Sequence, residues 1–466
     1  MTSFDKHETG WADLLGEGRL PRFILICLGV WINAADSLVT ATIMPSVGAD
    51  LGGYAYFSWA VAGFLIGAIM AGASAGRLSE IVGLRRATVL SGLVFAGGCL
   101  FSALAPNMTF FLIGRVIQGV GSGWISGLAM VAIAFLFPER HLARVFGAVA
   151  AVWGVATILG PLLGGVFAEL GDWRAVFWFF AAQAVIFSLA ATRLLGRNIV
   201  PARSVGVAWR QLTILGLAAV ALALADISGS PVKALGLAAL ALAILFVVLK
   251  IDARAATHLL PRHVADLSTV GGSGYAAMFA LMATSVGFLI YGPAFLQQLH
   301  SLSPLEAGYA VAAHAMAWTI AALYVAGTAP ETANRWIRTG AACVLAGPIL
   351  LALTMRDGPI ILIILAAATM GAGYGLSSAL MNRRVLASLS DEDRAIGSSG
   401  LIAVRQTGEA IGAAIAGAAA NFAGFSAGLS TEAARNAAVW VYVTAIPLAL
   451  IGLLAAWRMT RIAGVR

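Results

Sequence analysis

The chain has little charge and little cysteine. Of its 466 residues only 11% are charged and 60% are apolar, whereas about 25% of a typical soluble domain is charged. This composition excludes an ordinary cytosolic enzyme, and it excludes disorder, because disordered chains are polar. The three cysteines all lie in apolar runs, so no disulfide framework is indicated. The sequence therefore predicts a helical protein that crosses a membrane many times.

Long apolar runs are abundant. A membrane-spanning helix needs about 20 mostly apolar residues, and we identify fourteen such runs in the sequence. They cover residues 22–45, 54–75, 84–105, 108–136, 143–168, 174–195, 210–228, 233–251, 268–298, 305–328, 336–355, 359–381, 395–424 and 437–458. An all-α polytopic membrane protein with fourteen spans is the predicted fold class.

Basic residues are distributed unevenly among the loops. With the N-terminus placed inside, 23 of the 29 lysines and arginines lie in cytoplasmic segments, four in outer loops and two within spans. Because lysine and arginine concentrate on the cytoplasmic side of membrane proteins, we expect both termini in the cytoplasm. The same bias explains the net charge of +8, so no nucleic-acid partner is predicted.

The longest polar segment between spans, residues 196–209, divides the chain. Two halves of six spans can enclose a site near the middle of the membrane and expose it alternately to either side. The predicted organisation is a cytoplasmic tail over 1–21, a six-helix bundle over 22–198, two accessory spans with their loops over 199–262 and a second six-helix bundle over 263–466.

A basic hairpin joins the second and third predicted spans. Its sequence over residues 76–86, GRLSEIVGLRR, has glycines at both expected bends and one acid among three arginines. Cytoplasmic anchoring explains the arginines but not the spacing of the glycines and the acid. The segment resembles the corresponding loop of the major facilitator superfamily, where an aspartate usually stands in the place of Glu80. The resemblance implies that this hairpin takes part in conformational gating, through Gly76, Glu80, Gly83, Arg85 and Arg86.

Two further motifs carry the same resemblance. Residues 115–121, RVIQGVG, look like the family's intramembrane arginine motif. The segment with Gly160, Pro161 and Gly164 looks like the glycine–proline signature of its drug exporters, and it implies a second gating element. Close helix packing would also explain the glycines, and Pro161 would bend the helix.

The first and sixth spans are similar to one branch of that superfamily. Residues 36–45, DSLVTATIMP, and the segment Asp172-Trp173-Arg174 resemble the fourteen-helix drug:proton antiporters. This resemblance implies two six-helix bundles with two accessory helices, in a bacterial-type plasma membrane. It also implies export of hydrophobic or cationic compounds in exchange for protons.

Charged side chains deep in a membrane are costly and mark functional sites. Asp36 lies about 21 Å along the first span, and Arg115 lies about 12 Å from the opposite face in the fourth. We therefore expect both at a similar height, facing one central cavity, with a structural ion pair as the alternative. Residues three or four positions apart share a helix face, which adds Asn33 and Thr40 beside Asp36, and Gln118 and Ser122 beside Arg115, as cavity lining.

A mechanism for proton coupling follows from this pair. An ordinary aspartate has a pKa near 3.9 and does not exchange protons at neutral pH. Burial and a neighbouring guanidinium act in opposite directions on the charge of such a carboxyl. A conformational cycle that changes the distance between Asp36 and Arg115 would therefore load and release a proton. This chemistry needs a proton gradient but no metal, nucleotide or covalent intermediate, so no cofactor is predicted.

The second half contains another buried acid, Glu409, four residues after Arg405. Mutual neutralisation of the two is one interpretation; a second proton-coupling site or a receptor for cationic substrates is the other. Asp226, near the end of an accessory span, is expected to be peripheral. Further cavity residues are predicted in this half, with ordinary helix packing as the alternative: Tyr291, Gln297, His314, Trp318 and Arg405.

The resulting prediction is a monomeric, proton-coupled exporter of hydrophobic or cationic compounds. A dedicated exporter of a single metabolite or lipid-like compound would use the same machinery and stays open. A membrane-embedded enzyme is disfavoured, because the sequence has no metal-spaced His/Cys cluster, phosphate loop or nucleophile elbow. Repeated pore motifs, which would favour a channel, are absent from the sequence.

Overall fold

A computed structural model of the chain describes residues 19–137, 139–196, 208–226, 231–255, 257–261 and 264–462. These ranges contain fourteen long helices and no strand, so the predicted all-α class is confirmed. We number the helices α1 to α14 in chain order. They are Leu20–Leu51, Trp59–Val82, Leu84–Ala103, Met108–Leu136, Glu139–Glu169, Trp173–Leu194, Trp209–Asp226, Pro231–Asp252, Val270–His300, Pro304–Val325, Pro330–Thr354, Ile360–Ala387, Asp391–Phe422 and Thr431–Arg461.

Each predicted span corresponds to one helix. By length and apolar composition alone, eleven helices in the described ranges could cross a membrane. The three that do not meet this criterion are α7, α8 and α13. The boundaries predicted at residues 198 and 262 lie outside the described residues, as does most of the predicted tail over 1–21. Asp226 is the last residue of α7, and its side chain also lies outside the described part of the chain.

Several helices continue beyond the apolar runs that predicted them. The first helix ends at Leu51 instead of residue 45, and α2 ends at Val82 instead of residue 75. Apolar composition marks the part of a helix that contacts lipid, whereas backbone hydrogen bonding continues until a turn residue ends it. Gly76 therefore lies inside α2, and the prediction of a bend there is wrong. The turn is made by Gly83 alone, whose φ of +81° suits glycine.

The packing of α1–α6 is repeated in α9–α14. In each set, the first helix packs against the fourth, fifth and sixth, the second against the fourth, and the third against the fourth and sixth. We refer to the two sets as the N-terminal and C-terminal halves. The halves meet mainly through α5 with α10 and through α2 with α13, and these two contacts correspond to each other in the repeat.

The remaining two helices form a hairpin on the outside of this arrangement. Helix α7 packs against both α2 and α13, and α8 packs against α7. A narrow cleft remains where the three helices meet, lined by residues such as Met70, Leu215 and Ala410. The hairpin therefore covers one of the two contacts between the halves.

Among the described residues, close contacts between the two halves are found toward one end of the bundle. We call the end that holds the start of α1 and the end of α14 the terminal end, and the opposite one the distal end. Near the distal end, a Cβ added at Gly165 of α5 would lie 2.5 Å from the Cα of Leu305 in α10. Closer to the terminal end, a Cβ added at Gly154 of α5 would lie 4.0 Å from its nearest neighbour, a side-chain atom of Thr319 in α10. A Cβ added at Gly147 would have no described atom within 4 Å. The space between the halves therefore widens toward the terminal end.

Candidate proton and substrate sites

An enclosed ion pair joins α1 to α4. The Nη1 atom of Arg115 donates to Oδ2 of Asp36 at 2.9 Å, and the two side chains are 1% and 0% exposed. The Nε atom of the same guanidinium donates to the carbonyl oxygen of Ala60 in α2 at 3.1 Å. Its Cζ atom also lies 4.6 Å from the ring centroid of Phe64. One guanidinium thus connects three helices, which fixes its position against the carboxylate.

Gln118 completes this network one helical turn after Arg115. Its amide nitrogen donates to Oδ1 of Asp36 at 3.3 Å and to Sγ of Cys99 at 3.1 Å. Its amide oxygen accepts hydrogen bonds from Arg115 and from Ser102, both at 3.1 Å. Cys99 and Ser102 lie on α3. They were not predicted from the sequence, because neither stands out in an apolar run of small residues.

Glycine brings these helices close enough for the network to form. A Cβ at Gly119 of α4 would lie 2.0 Å from the carbonyl oxygen of Phe64 in α2, and one at Gly98 of α3 would lie 2.4 Å from the backbone nitrogen of Gln118. Larger side chains at these positions would push α2 and α3 away from α4. The short helix separations let one arginine reach both a backbone carbonyl and a carboxylate on two different neighbours.

The structure places the other predicted lining residues of this half around the same network. Thr40 donates to the backbone oxygen of Asp36 at 2.9 Å, and Ser122 donates to the side-chain oxygen of Asn33. Thr40, Gln118 and Ser122 are at most 1% exposed. In this conformation they are enclosed within the N-terminal half, with Asp36 and Arg115, instead of facing the space between the halves. A cavity-lining role for them stays a prediction.

The acid of the C-terminal half has a different environment. Glu409 and Arg405 are one turn apart on α13, with 3.9 Å between Oε1 and Nε, and their side chains are 19% and 36% exposed. Tyr374 of α12 lies near both charges. Its ring lies edge-on to that of Trp318 in α10, with centroids 4.6 Å apart. The acid and the base are therefore partly accessible, whereas the ring of Trp318 is half-buried and that of Tyr374 is completely buried.

His314 is a packing residue in this structure. It is 1% exposed, and its Nδ1 atom lies 2.9 Å from the carbonyl oxygen of Ala367 in α12. A Cβ at Gly371 would lie 2.0 Å from the backbone oxygen of His314. The histidine therefore lies in a tight contact between α10 and α12, and a substrate-cavity role for it stays a prediction.

Tyr291 belongs to a cluster of rings where the halves meet at the distal end. Phe425, between α13 and α14, contacts Phe57 and Tyr291 with centroid distances of 5.4 Å in both cases, and Phe295 at 6.2 Å. Tyr54 joins the cluster at 5.8 Å from Phe425. We call these five residues the distal aromatic cluster. Tyr54 and Phe57 come from the N-terminal half and the others from the C-terminal half, so the cluster closes this end.

Gln297, also predicted to line a cavity, is half-buried three residues before the end of α9. It therefore lies near the closed distal end, and its predicted role is untested.

The predicted gating residues fall into two groups. In α5, a Cβ at Gly160 would lie 2.9 Å from Leu38 and one at Gly164 would lie 3.0 Å from the backbone of Val39, so both glycines face α1. Pro161 lies inside the same helix, and its carbonyl oxygen would be 2.9 Å from a Cβ at Gly308 of α10. This segment of α5 thus contacts both halves.

The second group lies at the turn between α2 and α3, at the terminal end. Glu80 forms an ion pair with Arg77 at 2.8 Å. Arg85 is half-buried and Arg86 is exposed in the first turn of α3, directly after Gly83. The gating role of these residues stays a prediction.

These features define a helical membrane transporter built from two similar halves. The family comparison agrees: residues 26–412 match the model of the Major Facilitator Superfamily. The chain belongs to this superfamily, whose members are transporters, and it is not an enzyme.

Similar proteins include named drug transporters. A probable multidrug-efflux transporter of Mycobacterium tuberculosis strain H37Rv is 30% identical over 97% of both chains. The multidrug transporter protein MdtP of Bacillus subtilis is 26% identical over 87% of this chain and 76% of its own length. The riboflavin transporter RibZ of Clostridioides difficile is 24% identical, with 84% and 86% covered.

Solved structures share the fold. A bacterial homologue of the human lysosomal transporter Spinster, in an inward-facing and unoccupied conformation, matches with a TM-score of 0.66 at 14% identity, over 96% of this chain and 98% of that one. A D-xylose–proton symporter matches with a TM-score of 0.63 at 18% identity, over 96% and 99%.

Proposed function

We propose that this protein exports hydrophobic or cationic compounds in exchange for protons, by alternating access between its two halves. The observation that carries the proposal is the enclosed network of Asp36, Arg115 and Gln118. A carboxylate and a guanidinium that leave water lose hydration, and their attraction must compensate for that loss. A proton on Asp36 removes one of the two charges and leaves the other without its partner, so the network is sensitive to protonation.

Protonation of Asp36 would be linked to the contact between the halves by the packing of α1 and α5. Asp36 lies on α1, which packs against α5 through Gly160 and Gly164. The same stretch of α5 contacts α10 of the other half through Pro161 and Gly165. Separation of α1 from α4 would therefore disturb the contact that closes the distal end. In this proposal, proton binding at Asp36 and opening of the distal end are coupled through α5.

We propose further that the terminal end faces the cytoplasm of a bacterial-type cell. Six arginines lie near this end in the C-terminal half, in agreement with the cytoplasmic bias of basic residues: Arg335, Arg338, Arg383, Arg384, Arg458 and Arg461. The open space between the halves then faces the cytoplasm, from which an exporter loads its substrate. Trp318, Tyr374, Arg405 and Glu409 are the candidate contacts for that substrate.

The experiment uses proteoliposomes with an imposed pH gradient and a fluorescent cationic dye. We expect Asp36→Asn to abolish uphill dye movement driven by the gradient, while downhill equilibration of the dye continues, because the variant keeps the shape of the side chain but cannot release a proton. Proton flux measured in the same vesicles should stop responding to dye.

Asp50→Asn is a matched control for this variant. Asp50 lies on the same helix, near its distal end, and forms an ion pair with Arg174, but its side chain is 47% exposed. We expect this control to retain coupled transport. Uphill transport by Asp36→Asn at the rate of the unmodified protein would overturn the assignment of Asp36 as the coupling site.

A dedicated exporter of one compound is the second candidate. The similarity to the riboflavin transporter RibZ supports it, since a protein of the same fold and comparable length carries the name of a single substrate. A panel of unrelated dyes, drugs and flavins in the same vesicles separates the two. Coupled transport of several unrelated cations favours the multidrug function, and transport of one compound alone favours the dedicated one.

A further inference from the structure

Two arginines are held side by side at the terminal end of the C-terminal half. The Nε atom of Arg338 in α11 donates to Oγ1 of Thr460 in α14 at 2.7 Å. Arg384 of α12 donates through Nη2 to the carbonyl oxygen of Ile462 at 2.8 Å, and through Nη1 to Oδ1 of Asn334 at 3.0 Å. Thr460 and Ile462 are two residues apart, so the two guanidinium groups lie near each other at the end of α14.

Among the described residues, both guanidinium groups contact only neutral acceptors, and neither forms an ion pair with a carboxylate. The Nε atom of Arg384 is buried, and no acceptor for it occurs in the described part of the chain. By contrast, Arg435 at the distal end is paired with Asp357 at 3.0 Å. Two adjacent cations with unused donors repel each other, and an anion between them would remove the repulsion and satisfy the donors.

Aromatic residues place this pair near a membrane–water boundary. Trp336 lies two residues before Arg338, and its ring is edge-on to that of Tyr324, with centroids 5.4 Å apart. Trp457 is 44% exposed on α14, and the guanidinium of Arg461 lies 4.9 Å from its ring centroid. Tryptophan and tyrosine concentrate at the level of lipid headgroups in membrane proteins. Arg338 and Arg384 are therefore at the height where phosphate groups of lipids occur.

Exposed apolar side chains also lie on α14, farther from the terminal end than the two arginines. Leu454 and Ile451 lie one and two turns before Trp457 in the sequence of α14, and they are 54% and 55% exposed. A ligand that reaches both the arginines and this face needs an anionic head and a hydrocarbon chain. Inorganic phosphate would use the arginines only.

We propose that Arg338 and Arg384 bind the phosphodiester of an anionic phospholipid in the leaflet at the terminal end. The guanidinium group presents paired donors that match phosphate oxygens, and basic pockets between membrane helices bind anionic headgroups. The lipid would hold α11, α12 and α14 together at this end. The proposal does not depend on which compound the protein transports or on proton coupling.

The test measures lipid binding to the purified full-length chain in detergent by native mass spectrometry. Phosphatidylglycerol and phosphatidylcholine with the same acyl chains are titrated separately. We expect the unmodified protein to bind phosphatidylglycerol at least tenfold more tightly than phosphatidylcholine. Arg338→Gln and Arg384→Gln should each remove most of this preference, since each eliminates one of the two charges.

Arg383→Gln is the matched control. Arg383 is the neighbour of Arg384 in α12, but it is exposed, and it donates to the carbonyl oxygen of Thr328 instead. We expect this control to change the lipid preference less than twofold. Equal loss in all three variants would mean that general surface charge attracts the lipid, and it would overturn the proposed pocket.

Thermal unfolding of the unmodified protein is a test that does not depend on the variants. If the glutamine variants do not fold, thermal unfolding of the unmodified protein is compared with short-chain phosphatidylglycerol, short-chain phosphatidylcholine and inorganic phosphate. Stabilisation by phosphatidylglycerol alone supports the lipid site. Equal stabilisation by inorganic phosphate at the same concentration would assign the pocket to free phosphate and overturn the lipid, and the absence of any difference would overturn the site.

Discussion

At the scale of single residues, the enclosed network is constrained by its hydrogen bonds. Asp36 accepts from both Arg115 and Gln118, so each oxygen of its carboxylate has a donor. Breaking a buried ion pair by removing one partner costs about 3–5 kcal/mol, because the other charge stays buried. A transporter that separates Asp36 from Arg115 must therefore bring a proton or water at the same time.

Replacement of Gln118 tests how far the network depends on its bridging residue. Gln118→Leu keeps the volume approximately but leaves Ser102 and one oxygen of Asp36 without a partner. Each buried polar group that loses its partner costs about 1–3 kcal/mol. We expect a clearly lower thermal unfolding midpoint in detergent. Gln298→Leu is the control, because Gln298 makes its hydrogen bond to Thr431 at the exposed distal end; an equal loss in the control would contradict the prediction.

Glu409 is the residue whose role the structure makes easiest to test. Its side chain is partly exposed and 3.9 Å from Arg405, which is too long for a strong hydrogen bond. If Glu409 attracts cations, Glu409→Gln should lower the transport rate of cationic dyes about tenfold and change that of neutral compounds little. A structural ion pair would instead give equal losses for both substrate classes, and Arg405→Gln would reproduce them.

The similar height of Asp36 and Arg115 was predicted from the number of residues along each span, and the two side chains are in contact in the structure. The enclosure of the pair could not be predicted in this way. Depth along a helix does not fix rotation about its axis, and rotation decides whether a side chain faces its own half or the space between the halves. Gln118 was assigned to the correct helix face, but its partners on α3 could not be inferred.

At the scale of helices, glycine sets the distance between neighbours. Gly119 in α4 and Gly371 in α12 hold equivalent positions in the two halves, and a Cβ at either would come within 2.0 Å of a backbone oxygen. The helices were predicted well from apolar runs. Their ends were not, because the first and second helices continue into polar segments where lipid contact no longer constrains composition.

A substitution in α5 tests the closed contact between the halves. Gly165→Val places a branched side chain where even a Cβ would be 2.5 Å from Leu305, so the distal end should no longer close as it does here. We expect spin labels at Leu170 and Leu353, which are 72% and 75% exposed, to show longer distances in this variant.

Gly147→Val is the control for this experiment. It lies on the same helix, but a Cβ there has no atom within 4 Å. The label distances should match those of the unmodified protein. Unchanged distances in Gly165→Val would show that the contact between α5 and α10 is not required for closure.

At the scale of the whole molecule, the distal aromatic cluster closes one end of the transporter. Its rings come from two connecting segments and from α9, and four of them are completely buried: Phe57, Tyr291, Phe295 and Phe425. No pattern in the sequence links these segments, because more than 230 positions separate Phe57 from Tyr291 in the numbering. Such contacts follow from the arrangement of the two halves, which hydropathy does not determine.

Removal of the central ring should shift the balance between conformations. Phe425→Ala removes a fully buried ring, and a buried phenylalanine contributes about 3–5 kcal/mol when it is truncated to alanine. If only the closed distal end uses this ring, the population of that state should fall more than tenfold. The same spin labels measure it. Phe422→Ala, whose ring is 65% exposed, should leave the distances unchanged, and equal effects would refute the role of the cluster.

The hairpin of α7 and α8 limits how this protein can move. Because α7 packs against a helix from each half, a rotation that moves the halves apart must change its contact with α2 or with α13. Met70 of α2 lies beside Gly216 at this contact. Any relative movement of the halves is therefore tied to a change in the packing of the two additional helices.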